Sequence, residues 1–140
     1  MRRILAAWAV AITAALVYPA SHPGVASADP VPGPPYVDHV QWAKWGDLSS
    51  LRVYPTEAAR LAAAQWGTDL AGDEAWTEVL TLSPDADLPG MREQFMCHWR
   101  YAELAYPGKP SWNLEPWRPE VSEDEMVAAH CNPGGTEEPF

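Results

Sequence analysis

The sequence is poor in basic residues. It has 9 lysines and arginines against 19 aspartates and glutamates, which gives a formal net charge of −10. A chain this acidic is repelled by nucleic acid, by anionic lipid and by phosphate-bearing wall polymers, because all of these carry charge of the same sign. We therefore expect no nucleic-acid partner, and we interpret the acidity as a contribution to solubility.

The sequence also lacks an apolar run long enough to cross a membrane. The run from Ile4 to Val17 is shorter than the roughly 20 residues that span a bilayer, and Pro19 follows it. Arg2 and Arg3 precede this run, and small residues follow it up to Ala28. This order is typical of a secretory signal peptide over residues 1–28. We expect a secreted protein, extracellular or in the cell envelope, with no membrane insertion after cleavage.

Cleavage after Ala28 would leave 112 residues, a size that suits one domain with one core. The formal charge would then be −12, because Arg2 and Arg3 leave with the leader. Residues 29–35 are rich in proline and are predicted to form an extended arm. We expect a single secreted domain over residues 36–140.

Cysteine is scarce, since Cys97 and Cys131 are the only two in the sequence. In an oxidising compartment, an even pair in a small domain favours a disulfide. Such a bridge would stabilise the fold by roughly 4 kcal/mol in the loop-entropy model. A free catalytic thiol is the alternative, but it leaves the second cysteine without an explanation.

Familiar catalytic signatures are missing. No serine lies in a GxSxG elbow. The acidic segment from Asp85 to Gly90 begins like a calcium-binding loop, but Pro89 stands at the fifth position and Met96 at the twelfth, where a glutamate is needed. We assign no catalytic residue and no cofactor, and whether the protein is an enzyme stays open.

Local patterns predict two strands, over residues 37–45 and 50–54, joined by a loop of residues 46–49. Thr56 is predicted to cap a helix that runs from Ala58 to Trp66, and Asp73 to cap a second helix that ends near Ser83. These signals predict a hairpin followed by two helices.

The second half of the chain is more ambiguous. Residues 91–103 fit a helix and a strand about equally, and we favour one helical turn that continues into a strand. Residues 106–119 contain four prolines and are predicted to form an ordered irregular loop. Ser122 and Glu125 have the spacing of a capping box, with Val121 packing on Met126. The elements together predict an α+β fold, a small antiparallel sheet packed by two or three helices, with an all-helical domain as the alternative.

Tryptophan is abundant, with eight residues in 140. Trp66, Trp76 and Trp99 lie on the apolar faces of predicted elements and are expected in the core. The others of residues 29–140 are less easily buried and are candidates for an exposed aromatic platform: Trp42, Trp45, Trp112 and Trp117.

The segment 112–119 (Trp-Asn-Leu-Glu-Pro-Trp-Arg-Pro) holds two indoles on a backbone stiffened by proline. One interpretation is a rigid plug that packs over the sheet. The other is a binding surface for a sugar, a peptide or another apolar ligand, because rigid aromatics lose little entropy on binding. Its candidate binding residues are Trp112, Glu115, Trp117 and Arg118.

His98 and His130 each neighbour a cysteine. If the cysteines are bridged, the two imidazoles come near each other, and Glu93, Asp124 or Glu125 could complete a metal site. Surface or hydrogen-bonded histidines are the simpler interpretation. We therefore assign no metal and keep these two histidines as candidates.

Three segments taken together resemble a family of secreted actinobacterial domains of unknown function. They are residues 91–98 (MREQFMCH), 112–119 (WNLEPWRP) and 131–135 (CNPGG). The resemblance extends from about Tyr36 to the carboxyl terminus. It implies export and a shared fold in which the two cysteines are paired, and it implies no catalytic or ligand-binding residue.

These observations favour a non-enzymatic interaction or binding module of the cell envelope or the extracellular space. Its partner is unknown from the sequence, and an envelope glycan or a protein would fit. The alternative is a small extracellular hydrolase, with or without a metal, and it rests on His98 and His130.

Overall fold

The computed structural model describes residues 29–136 and has an α+β fold with three strands and four α-helices in that range. The predicted signal peptide, residues 1–28, lies outside the described residues. The predicted fold class is confirmed, and the all-helical alternative is wrong. In chain order, the elements are β1 (Val37–Trp45), β2 (Leu48–Pro55), α1 (Glu57–Ala63), α2 (Asp69–Leu82), a 3₁₀ turn (Pro84–Ala86), α3 (Met91–Ala105), β3 (Trp112–Leu114) and α4 (Glu123–Ala128).

The sheet is antiparallel with the order β1-β2-β3. β1 and β2 form the predicted hairpin, but its loop is residues 46–47 and not 46–49, because β2 begins at Leu48. Gly46 lies at the tip with φ of 58°, a conformation that glycine adopts at little cost. β3 pairs with β2 through Leu114 opposite Leu51 and Trp112 opposite Val53. The prediction of an irregular loop over these residues is wrong at β3, because a three-residue strand between prolines has no local signature and depends on a distant partner.

The helix starts show which local signals were sufficient. The side chain of Thr56 caps α1 by accepting a hydrogen bond from the backbone N–H of Ala59 at 3.1 Å, as predicted. α2 begins at Asp69, so the prediction that Asp73 caps it is wrong, and Asp73 instead pairs with Arg92 of α3. The earlier start follows Thr68, whose hydroxyl donates to α1 and accepts from the Trp99 indole of α3.

α3 is one continuous helix, so the prediction of a helical turn followed by a strand is wrong. The spacing of its large residues explains the result. Phe95 and Trp99 lie one helical turn apart and are both fully buried, and Met91 lies one turn earlier in the same core. The helical period therefore outweighs the strand-like alternation in this segment.

The core is a cluster of aromatic side chains between the sheet and α2 and α3. Trp99 lies 5.5 Å from Tyr36 and 6.1 Å from Trp112 between ring centroids, and Phe95 lies 5.5 Å from Trp76. The core positions of Trp76 and Trp99 are confirmed. These edge-to-face and tilted contacts add to the stability gained from the buried area.

Trp66 is not in the core, so that prediction is wrong. α1 ends at Ala63, three residues before Trp66, and the side chain is 77% exposed. Because Trp66 lies beyond the end of the helix, the apolar face of α1 does not direct its indole into the core.

A second, smaller cluster joins α3 to α4 around the disulfide between Cys97 and Cys131, which confirms the predicted pairing. Ser122 and Glu125 form the predicted capping box at the start of α4. Val121 packs against the cluster that contains Met126. Within residues 29–136, no helix has the length and apolar character that crossing a bilayer requires.

Candidate functional site

The segment 112–119 is built into the interior of the fold. Trp112, Glu115 and Arg118 are each at most 3% exposed, whereas Trp117 is half-buried. The Arg118 guanidinium stacks over the Trp117 ring at 4.5 Å from its centroid. Three of the four candidate binding residues therefore present almost no surface to solvent.

Internal partners hold both charges of the Glu115–Arg118 pair. The Glu115 carboxylate accepts hydrogen bonds from Ser50 Oγ at 3.0 Å and from Arg118 Nε at 2.7 Å. The Gln94 side-chain amide donates to the Glu115 carbonyl and accepts from its backbone N–H, both at 2.9 Å. The segment is thus tied to β2 and α3 at the same point.

The two terminal nitrogens of the Arg118 guanidinium bind the carboxyl-terminal segment. They donate to the backbone carbonyls of Pro133, Gly135 and Thr136 at 2.8–3.2 Å. This geometry favours the rigid-plug interpretation of residues 112–119. Ligand binding by Trp112, Glu115, Trp117 and Arg118 stays a prediction.

The two candidate histidines stand on the walls of one open cavity beside the disulfide. His98 is buried on α3, and its Nδ1 donates to the backbone carbonyl of Gln94 at 2.8 Å. His130 is exposed and has φ of 52°, in the left-handed region. The cavity has a volume of about 440 Å³ and otherwise has mostly apolar walls.

The predicted completion of a metal site by a carboxylate is not found in the described range. Among residues 29–136, no three His, Cys, Asp or Glu side chains come together as metal ligands would. Glu93, Asp124 and Glu125 therefore do not complete a metal site with the two histidines, and the metal-assisted interpretation loses its ligand set.

An exposed aromatic surface lies where sequence reasoning did not expect it. Trp66, together with Leu61 of α1 and Pro30 and Pro32 of the amino-terminal arm, lines an open groove of about 660 Å³. Leu70, four residues after Trp66, is 85% exposed, and Leu61 is 50% exposed. We refer to Leu61, Trp66 and Leu70 as the Trp66 surface.

No local sequence signal marks the early end of α1. Gly67 follows Trp66 directly and has φ of 77°. However, α1 ends at Ala63, so a helix that stops at this glycine would still include Trp66. Trp45, 52% exposed at the end of β1, is the other strongly exposed indole in the described residues.

Several arginines are neutralised by neighbouring carboxylates. Arg60 pairs with Glu103 at 2.5 Å, and Arg100 pairs with Asp69 at 3.0 Å. The hydrogen bond from Arg100 holds the pKa of Asp69 below its usual range, although burial opposes this shift. The Arg100 pKa is raised in turn, chiefly by the same hydrogen bond.

Comparisons with known proteins confirm the coarser part of the resemblance, a family of unknown function with relatives in mycobacteria. The chain is 52% identical over 149 residues to the uncharacterized proteins Rv0477 of Mycobacterium tuberculosis and Mb0487 of Mycobacterium bovis, with 100% of each chain covered. It is 50% identical over 103 residues to the uncharacterized protein ML2452 of Mycobacterium leprae, which covers 74% of this chain and 83% of that protein. No solved structure matches the chain. The family model described as "Protein of unknown function (DUF2599)" matches residues 37–134, so the chain belongs to the DUF2599 family.

Proposed function

We propose that this protein is an exported, non-enzymatic interaction module of the cell envelope or the extracellular space. We further propose that the Trp66 surface binds a partner protein with an apolar anchor and a basic rim. The observation that carries this proposal is the exposure of Trp66, which is 77% accessible although the same chain buries Trp76, Trp99 and Trp112 in its core.

The exposure of large apolar side chains supports a protein partner. Complete burial of a large apolar side chain contributes about 1.5–3 kcal/mol, and tryptophan is enriched among the residues that dominate protein interfaces. Leu61, Trp66 and Leu70 lie within ten residues of one another and are all at least half exposed. Leu61 and Trp66 line the same groove, and exposed apolar patches of this kind mark interaction sites.

The net charge of the protein determines which class of partner is attracted electrostatically. The chain has a net charge of −10, and Arg100, which lines a groove together with Trp66, is already paired with Asp69. A basic partner is attracted over the distance at which surface charge acts, whereas a second copy of this chain or an anionic polymer is repelled. The proposed partner is therefore a basic protein.

The test is a comparison of two single tryptophan variants as baits. Purified residues 29–140 would be immobilised as wild type, as Trp66→Ser and as Trp45→Ser, and incubated with separated protein and glycan fractions of the envelope. Trp45 is the matched control, because it is an exposed indole at the end of β1. We expect both variants to stay folded, since neither indole is buried.

The proposal predicts that wild type and Trp45→Ser retain the same basic protein, that Trp66→Ser loses it, and that added salt weakens its retention. Equal retention by all three baits would contradict the assignment to Trp66. Retention of the glycan fraction alone, lost only in Trp66→Ser, would contradict the protein partner.

Export is tested separately by the mass of the product. Expression of all 140 residues in a mycobacterial host should yield an extracellular or envelope protein that begins at Asp29 and has Cys97 and Cys131 oxidised. An intact Met1 on a protein retained in the cytoplasm, with both thiols reduced, would overturn the proposed location.

A further inference from the structure

We infer that the cavity beside the Cys97–Cys131 disulfide is a binding site for a small aromatic molecule that carries a hydroxyl group. This inference is independent of the Trp66 surface, from which it differs in lining residues and ligand class. The cavity volume of about 440 Å³ lies within the range of small-molecule sites, and its opening to solvent gives a ligand access.

The disulfide forms part of the cavity wall and links α3 to the segment that follows α4. It holds the Cα atoms of Cys97 and Cys131 5.6 Å apart, immediately after α4 has ended. Beyond Cys97, α3 continues for two more turns, and Tyr101, Ala102 and Ala105 form a stripe along one side of the cavity. A flat aromatic molecule can pack against these side chains and the disulfide.

The backbone at His130 is left-handed and places this residue at the end of α4, beside the cavity. The N–H groups of His130 and Cys131 donate to the carbonyls of Val127 and Met126, which forms a Schellman motif at the end of α4. His130 occupies the left-handed position of this motif, with φ of 52°, where glycine is strongly favoured. Cys131, the next residue, is also left-handed, with φ of 64°, so the backbone alone does not single out His130. The imidazole is distinguished by its place in the wall of the cavity.

The polar groups of the wall indicate the head group of the ligand. A neutral imidazole at His130 offers one hydrogen-bond donor and one acceptor. The Nδ2 of Asn132, also in the wall, donates to the His130 carbonyl and so holds the backbone that carries the imidazole. Lys109 and two tyrosines add further polar atoms to the wall. A hydroxyl group can both donate and accept, and it therefore suits the His130 imidazole.

The experiment uses two probes that share an apolar body and differ in the hydroxyl group, 4-ethylphenol and ethylbenzene. Each would be titrated into residues 29–140 with the disulfide intact, and amide chemical shifts would report both the site and the dissociation constant. We expect shifts at Tyr101, Ala105 and His130, with 4-ethylphenol binding about threefold to tenfold more tightly than ethylbenzene, as one added hydrogen bond allows.

Three variants make the outcome specific. His130→Gly removes the imidazole at a position that suits glycine, so it should fold, raise the melting temperature and remove most of the preference for the hydroxyl. Ala105→Phe should fill the cavity and abolish binding of both probes. Leu104→Phe is the matched control, because Leu104 is an exposed neighbour that is absent from the cavity wall.

Each result decides for or against the inference. Absence of shifts at the cavity wall up to the solubility of 4-ethylphenol would overturn it, as would equal affinities for the two probes. A lower melting temperature in His130→Gly would contradict the expectation that glycine suits this position. Loss of binding in Leu104→Phe as well as in Ala105→Phe would show that the cavity is not the site.

Discussion

Removing the charge of Glu115 should destabilise the protein more than any surface ion-pair change. The side chains of Glu115 and Arg118 are both fully buried, and their charged atoms lie 2.7 Å apart. Glu115→Gln keeps the shape of the side chain but leaves the Arg118 guanidinium without a countercharge. Breaking one side of a buried pair costs about 3–5 kcal/mol, mainly because the other charge stays buried.

The contacts of this pair support a destabilisation in the upper part of the range of about 3–5 kcal/mol. Glu115 also accepts from Ser50 on β2, and Arg118 also holds three backbone carbonyls of residues 133–136. Loss of the carboxylate charge therefore weakens contacts to the sheet and to the carboxyl-terminal segment together. Because whole domains are stable by only about 5–15 kcal/mol, this change would remove a large fraction of the total.

Urea denaturation followed by tryptophan fluorescence measures the effect, with the free energy of unfolding extrapolated to water. The control is Asp73→Asn, which removes one partner of the Arg92–Asp73 pair, where both side chains are about half exposed. That change should cost no more than about 1 kcal/mol. A loss below about 1 kcal/mol in Glu115→Gln, equal to the control, would refute the reasoning that residues 112–119 are an internal support.

Three further changes have expected outcomes. Replacing Cys97 and Cys131 by serine should lower the free energy of unfolding by about 3–4 kcal/mol, as closure of a 34-residue separation predicts; an unchanged urea midpoint would contradict this. Gly72→Ala should lower the melting temperature, because the new Cβ would lie 2.9–3.1 Å from side chains of α3 and overpacking outweighs the gain in helix propensity; a higher melting temperature would show that α3 yields easily. Arg100→Gln should lower the free energy of unfolding at neutral pH. The difference in this free energy between variant and wild type should shrink as the pH falls through the depressed pKa of Asp69 in the folded state, because stability from a lowered carboxyl pKa is lost on protonation. A difference that stays constant with pH would contradict this assignment.

The features that the sequence predicted correctly depend on short-range chemistry. The Thr56 cap, the Ser122–Glu125 capping box and the hairpin turn at Gly46 each involve residues within a few positions of one another. Their signals are therefore complete in a short window. The disulfide was predictable for a different reason, because two cysteines allow only one internal pairing.

The features that the sequence missed depend on partners far along the chain. β3 exists because Trp112 and Leu114 pair with β2, about sixty positions earlier. The continuous α3 is determined by which of its residues enter the core, and the short window of residues 91–103 carries both periodicities. Burial of the Glu115–Arg118 pair likewise depends on contacts with β2, α3 and the carboxyl-terminal segment.

Trp66 shows how one helix boundary changes the functional interpretation. Extending α1 to residue 66 assigns the indole to the core, whereas the observed end at Ala63 leaves it exposed beside the amino-terminal arm. The sequence therefore directed attention to Trp112 and Trp117, whose segment packs inside the fold. Helix ends are fixed by capping and packing together, and a shift of three residues is enough to reverse the exposure of a side chain.

The most direct test of the proposed function is photo-crosslinking on intact mycobacterial cells that express all 140 residues with p-benzoylphenylalanine replacing Trp66. The proposal predicts one specific crosslink to a basic envelope or extracellular protein, abolished by high salt and absent when the same group replaces Trp45. No crosslink from position 66, or identical products from positions 66 and 45, would contradict the claim that this protein acts by binding a partner through Trp66.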